Sequence, residues 1–231
     1  MSTIIILHGW GSSKEKWKDV QENLEIDGFR VFVPDIPGFK KETELGEPWD
    51  LNDYVQWLEE FLDANHIKDF FLVGHSFGGR IAIKFAVSHP LKALILVASA
   101  GIKKKCLSFS FIGKMIRSLR IENTFLWKYF RKFFYKCILR KTDYLNTSGN
   151  LKETMKDVLK EDLTPLLEEI KIPTLLIWGD KDEYTPLKDG FLMNKEIKNS
   201  RIEILKGIGH TPYSENPNLL SEKIKKYVTS F

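Results

Sequence analysis

An α/β fold with a mostly parallel sheet is predicted by two features of the chain: six short apolar runs that mostly do not alternate, and helical patterns set between them. The runs are Thr3 to Leu7, Arg30 to Pro34, Phe70 to Val73, Ala93 to Ala98, Thr174 to Trp178 and Arg201 to Leu205. They are rich in Ile, Leu, Val and Phe without a polar face, as expected of parallel strands covered on both sides. The helical patterns are Lys14 to Ile26, Leu51 to His66, Gly79 to Ser88, Leu187 to Lys198 and Asn218 to Val228. Strand and helix in alternation, joined by right-handed crossovers, place helices on both faces of one sheet.

The rhythm breaks once, between Ala98 and Thr174, where no convincing strand occurs. Residues 109 to 141 read instead as helices crowded with aromatic and basic side chains, the pattern of a helical lid inserted after the fourth strand. The chain is therefore divided into a core of residues 1–101 and 152–231 and a lid of residues 102–151, with Glu153 to Glu169 expected as the helix that returns to the sheet. Between residues 103 and 141 stand twelve Lys or Arg and one acid, Glu122; of the totals of 35 basic and 31 acidic residues, 23 and 30 remain elsewhere. The net charge of +4 thus belongs to the lid, and the rest of the chain is acidic.

Three readings of the lid stand side by side. Phe125, Leu126, Tyr129, Phe130 and Phe133 recur at helical spacing, which commonly marks a face packed on a core. Trp127, Phe134 and Tyr135 beside Arg131, Lys132 and Lys136 have the pattern of a basic amphipathic helix for a lipid or anionic surface. The same charges would also attract an anionic substrate. Nucleic acid is not expected as a partner, because a single basic patch without a recognition motif on an acidic remainder is not a nucleic-acid footprint.

At 231 residues, with 43% hydrophobic and 29% charged residues, the composition is that of an ordinary globular protein. No apolar run approaches the length of about 18 residues that suggests a membrane span. The start, Met1 to His8, lacks a basic region and runs directly into a strand, so no signal peptide and a cytoplasmic location are expected. Cys106 and Cys137 are accordingly expected as reduced, packed thiols.

The chemistry is announced by Gly74-His75-Ser76-Phe77-Gly78-Gly79, which follows an apolar strand and opens a helix. This is the pattern of a nucleophilic serine on a strand-to-helix elbow. In such a turn the residues two before and two after the serine approach neighbouring backbone, and Gly74 and Gly78 occupy those places. A serine hydroxyl needs a general base, itself oriented by a carboxylate. After the fifth strand comes a turn-rich loop with Asp180, Asp182 and Glu183, any of which could serve or merely cap a turn. After the sixth come Gly207, Gly209 and His210. Of the other histidines, His66 lies at a helix end, His89 precedes Pro90, and His8 and His75 flank the loops just named. An oxyanion hole would use the backbone N–H of Phe77 and one from His8-Gly9-Trp10-Gly11, with Trp10 the candidate and Gly9 permitting close approach.

Taken together, His8-Gly9-Trp10-Gly11, Asp35-Ile36-Pro37-Gly38, Gly74 to Gly79, Trp178-Gly179-Asp180-Lys181-Asp182 and Gly209-His210 resemble the α/β-hydrolase superfamily, in its lid-bearing serine esterase and peptidase form. The resemblance covers nearly the whole chain. It implies a sheet of about six strands in the order 2-1-3-4-5-6, without the two strands that usually open the fold. It also selects Asp182, three residues beyond the glycine that ends the strand. The implied function is a carboxylesterase for small to medium acyl esters, with Ser76, His210 and Asp182 as triad and no metal or organic cofactor. Thioesterase, carbon–carbon bond hydrolase and aminopeptidase activities use the same machinery, although a lid almost without acids gives no seat for a peptide ammonium. A ligand-binding module without catalysis is the reading from another class.

Overall fold

The computed structural model describes residues 1–103 and 149–231. Apart from Lys103, the aromatic and basic side chains assigned to the lid, and both cysteines, lie outside the described residues.

Six strands form a single parallel sheet in the order β2-β1-β3-β4-β5-β6. They are β1 (Thr3–Leu7), β2 (Arg30–Phe32), β3 (Phe70–His75), β4 (Ala93–Val97), β5 (Thr174–Gly179) and β6 (Ser200–Leu205). The helices are α1 (Lys18–Ile26), α2 (Leu51–Ala64), α3 (Phe77–Ser88), α4 (Gly149–Lys160), α5 (Leu187–Glu196), α6 (Pro212–Glu215) and α7 (Pro217–Val228) among the described residues. None of these is long and apolar enough to cross a membrane.

Burial explains why the strands lack alternation. Ile5, Leu7, Leu72, Leu94, Leu96, Leu176 and Trp178 pack on one side with α2, α3 and α5. Their neighbours in sequence, Ile4, Ile6, Phe71, Val73, Ile95, Val97, Leu175 and Ile177, pack on the other with α1 and α7. Successive side chains point to opposite faces, so a sheet covered twice needs apolar residues at every position. The edge strand β6 departs from this, since only Leu205 is buried and both Arg201 and Ile204 are exposed.

Local chemistry sets the ends of several elements. Asp50 caps α2 by accepting from Asn52 N and Asp53 N at 2.6 and 3.2 Å, while Asp53 accepts from Asp50 N at 2.7 Å. This reciprocal box satisfies amides that a helix start leaves unpaired. His66, at φ 55°, turns the chain out beyond the other end. The strand expected as far as Pro34 stops at Phe32, consistent with a proline having no N–H for the ladder. The single helix expected over Glu153 to Glu169 is broken into α4 and a 3-10 turn, Thr164–Glu169. There Asp162 accepts from Thr164 N at 3.1 Å, and Pro165 disfavours helical geometry at the residue before it. Arg80 of α3, buried, donates to the carbonyls of Val158 and Glu161, both at 2.6 Å, and Lys84 pairs with Glu161 at 2.7 Å. Cations at a helix C-terminus are favoured, and these dock α4 on the helix that follows Ser76.

Register gathers the strand ends. Leu7 lies beside Gly74, His75 beside Val97, Val97 beside Ile177, and Gly179 beside Leu205. The loops after β1, β3, β5 and β6 therefore leave the sheet at one edge, where open parallel sheets bind ligands.

Close approach also fixes Gly78. A Cβ there would lie 2.3 Å from the Leu7 carbonyl oxygen and 2.6 Å from that of His8. Both obstacles are backbone, so Gly78→Ala should lower stability by about 2–3 kcal/mol, or roughly 5–10 °C in Tm. Gly46, with nothing within 4 Å of a built Cβ, is the control, and Gly46→Ala should stay within about 0.5 kcal/mol. Thermal melts of the two variants check the pair.

Candidate active site

Ser76 stands at the junction of β3 and α3 with φ 51° and ψ −111°. Such a conformation costs a non-glycine residue about 1–3 kcal/mol and must be over-determined by its surroundings. Its N–H donates to the Val97 carbonyl at 3.2 Å, and its carbonyl accepts from Gly79 N and Ala100 N at 3.1 and 3.0 Å. A Cβ at Gly74 would lie 2.7 Å from Gly78 O and Gly79 Cα. One at Gly79 would lie 2.1 Å from Ser99 Oγ. The helix expected from Gly79 thus begins at Phe77, immediately after the serine, because the turn is completed within one residue.

His210 reaches this serine from 134 positions away, with Nε2 3.1 Å from Ser76 Oγ. Its Nδ1 lies 2.8 Å from Asp182 Oδ2. A carboxylate only accepts, so Nδ1 carries the proton and Nε2 is left as acceptor for the serine hydroxyl. The Asp182 side chain is fully buried and that of His210 is 15% exposed. Asp182 Oδ1 accepts from Tyr184 N at 2.8 Å and Thr185 N at 2.9 Å, and Thr185 Oγ1 lies 2.8 Å from Oδ2. Burial opposes the charge on Asp182, but the His210 ring and the Thr185 contacts outweigh it and hold the carboxyl below its ordinary value. Asp180 serves the loops rather than the imidazole, since its Oδ1 accepts from Gly207 N at 2.7 Å and so joins the loops after β5 and β6.

The glycine loop after β1 is tied to the elbow by Gly78 N, which donates to the His8 carbonyl at 3.1 Å. Among the described residues no acceptor is found for the N–H groups of Trp10 and Phe77. The Trp10 ring packs edge-on against Phe39 and Phe77, with centroids 4.8 and 5.0 Å apart. His8 Nε2 accepts from Ile36 N at 3.1 Å while Nδ1 donates to the Gly9 carbonyl at 2.9 Å, so its ring is a neutral strut between two loops. Burial lowers its pKa accordingly.

Sequence reasoning missed Thr185, Glu215 and the ring of His75. The spacing of three between Asp182 and Thr185 is a side-chain turn signal available locally. Glu215 accepts from Gly209 N at 2.7 Å and Thr211 N at 3.0 Å, on either side of His210, and has no local signal. No group of three or more His, Cys, Asp or Glu that could hold a metal occurs among the described residues.

Burial, then the nearby His210 ring, pushes the His75 pKa down to about 3, against the hydrogen bond to the His210 carbonyl and the neighbouring Asp182, which act to raise it. Between about pH 6.5 and 3 the unfolded chain therefore binds a proton at this position that the folded protein does not. Stability from this group is complete above the unfolded value and falls as pH drops through that window, by roughly 1.4 kcal/mol per unit. His75→Gln should make the dependence of unfolding free energy on pH shallower by about one proton between pH 4 and 6, measured by urea titration; parallel slopes would count against a neutral buried ring.

The model of the alpha/beta hydrolase fold family matches residues 2–127. Lipase 1 of Psychrobacter immobilis is 26% identical over 247 residues, which cover 97% of this chain and 76% of the lipase. A 2-hydroxy-6-oxononadienedioate/2-hydroxy-6-oxononatrienedioate hydrolase of Pseudomonas putida is 26% identical over 256 residues, covering 98% of this chain and 88% of that enzyme. Among solved structures, an esterase from Exiguobacterium antarcticum superposes with a TM-score of 0.77 at 21% identity, over 99% of this chain and 92% of its own. With a family match over more than half of its length and the sheet order 2-1-3-4-5-6, the chain belongs to the α/β-hydrolase fold family.

Proposed function

We propose that the protein is a serine hydrolase whose preferred substrates are small to medium carboxylic esters. The observation that carries the reading is the continuous contact from Ser76 Oγ through His210 to Asp182, at 3.1 and 2.8 Å, built at the ends of three different strands. In this reading Ser76 Oγ attacks the ester carbonyl as His210 Nε2 takes its proton. Asp182 holds the ring in the Nδ1–H tautomer and stabilises the imidazolium that forms. The N–H groups of Trp10 and Phe77 receive the developing oxyanion. His210 then protonates the departing alcohol, leaving an acyl group on Ser76. Water, deprotonated by the same nitrogen, releases the acid and restores the serine.

Trp10, Phe39 and Phe77 form an apolar wall on the oxyanion side, which favours an acyl chain over a charged group. Relatives named as a lipase and as a hydrolase of a carbon-chain dioate support hydrolysis as the shared reaction class.

With p-nitrophenyl acetate as substrate, Ser76→Ala should lose turnover by at least about 10³-fold, keeping what binding and the oxyanion donors provide. Asp182→Asn, which favours the wrong tautomer of His210, should lower kcat on the order of 10³–10⁴-fold with a modest change in KM. Near-full activity in either variant would sink the assignment. A panel of p-nitrophenyl esters of increasing chain length, run beside thioester and aminoacyl substrates, should give its highest kcat/KM on an ester.

A further inference from the structure

His75 is completely buried between the site's three loops and has no part in the steps above. Its Nε2 lies 2.9 Å from the main-chain carbonyl of His210. A carbonyl only accepts, so the proton sits on Nε2 and Nδ1 is a bare acceptor. That Nδ1 has no hydrogen-bond partner among the described residues. It faces Gly9, where a Cβ would lie 2.9 Å from Nδ1 and 3.2 Å from Cε1. The ring is held by Tyr213 and Trp17, with centroids 5.1 and 5.8 Å away, and lies 5.0 Å from the ring of His210.

A buried nitrogen without a partner is a cost that a phenylalanine of similar shape would avoid, and such groups in native structures call for an explanation. The position of His75 supplies one. It is bonded in sequence to Ser76, touches the glycine loop through Gly9, and holds the backbone of His210 from 135 positions away. Glu215 secures the amides of Gly209 and Thr211 from the outer side, and Lys181 N donates to the Ile208 carbonyl at 2.9 Å. The carbonyl of His210 itself is taken from within the fold by His75.

We propose that His75 is a positioning residue for the reaction: its Nε2–H anchors the main chain of His210 so that the imidazole meets both Ser76 Oγ and Asp182. The inference rests on the serine-hydrolase reading for its kinetic consequence and on geometry alone for its structural one. An error of about 1 Å in a catalytic group can cost on the order of 10²-fold in rate. The anchor has to be a donor of the reach of Nε2, which Gln supplies and Phe does not.

The test compares wild type, His75→Phe and His75→Gln in p-nitrophenyl butyrate hydrolysis, per mole of folded enzyme determined from thermal melts, with crystal structures of the wild type and His75→Phe. The expected result is a fall in kcat of about 10- to 100-fold in His75→Phe with KM within about twofold, and recovery of most of that loss in His75→Gln. The His210 Nε2 to Ser76 Oγ distance should lengthen beyond hydrogen-bond range in the Phe variant. Wild-type kcat in His75→Phe, or equal loss in Phe and Gln variants, overturns the inference, as does an unmoved His210 in the crystal. Failure of the function reading looks different, since wild-type and Ser76→Ala proteins would then hydrolyse the ester equally, while the crystal structures still decide whether His75 anchors His210.

Discussion

The main chain at Ser76 is held at φ 51°, and the site is arranged around the contacts that keep it there. An L-residue in this region is strained, so the fold must offset about 1–3 kcal/mol through neighbours that leave no alternative. The serine amide is fixed to β4 through Val97, and the carbonyl is fixed to Gly79 and to Ala100 beyond that strand. The helix that follows can come this near the sheet because Gly74, Gly78 and Gly79 carry no Cβ. Ala98, at the end of β4, is itself at φ 45°, so the chain bends sharply on two adjacent strands where the serine is presented.

From this elbow the remaining geometry follows through the sheet. Parallel pairing brings Gly74 beside Leu7, which sets the glycine loop at Trp10 alongside Phe77. The pairing of Val97 with Ile177 and of Gly179 with Leu205 carries the same edge across to the loops that hold Asp182 and His210. A Cβ at Gly179 would lie 2.2 Å from the Ile208 carbonyl, so the turn after β5 and the loop after β6 pack as one unit. Asp180 locks that unit through Gly207, and Thr185 spans from Asp182 to Ala98 O at 2.9 Å. Two faces of apolar packing keep the sheet from shifting beneath these loops.

Much of this was legible because each requirement leaves a local mark. A doubly covered sheet removes alternation from its strands, and all five residues of β1 are buried. The elbow needs glycines at fixed offsets from Ser76, and they are there. The acid was less legible, because Asp180, Asp182 and Glu183 share one turn. Only resemblance singles out Asp182, whereas the structure separates it from Asp180 by partners within the loop after β6, the His210 ring for Asp182 and the Gly207 amide for Asp180. The break between α4 and the 3-10 turn was marked by Asp162 and Pro165 but hidden within a helical pattern. His75 and Glu215 were not legible as supports of His210, since a contact across 135 residues or to a main-chain amide leaves no periodic trace.

The proposed role of Ser76 as an activated nucleophile is open to a direct chemical test. Reaction of the folded wild-type protein with a fluorophosphonate, followed by peptide mapping in a mass spectrometer, addresses it without any assumption about the natural substrate. The expected result is one adduct per chain, carried by Ser76. A folded protein that stays unlabelled, or one whose adduct maps to another residue, would contradict it.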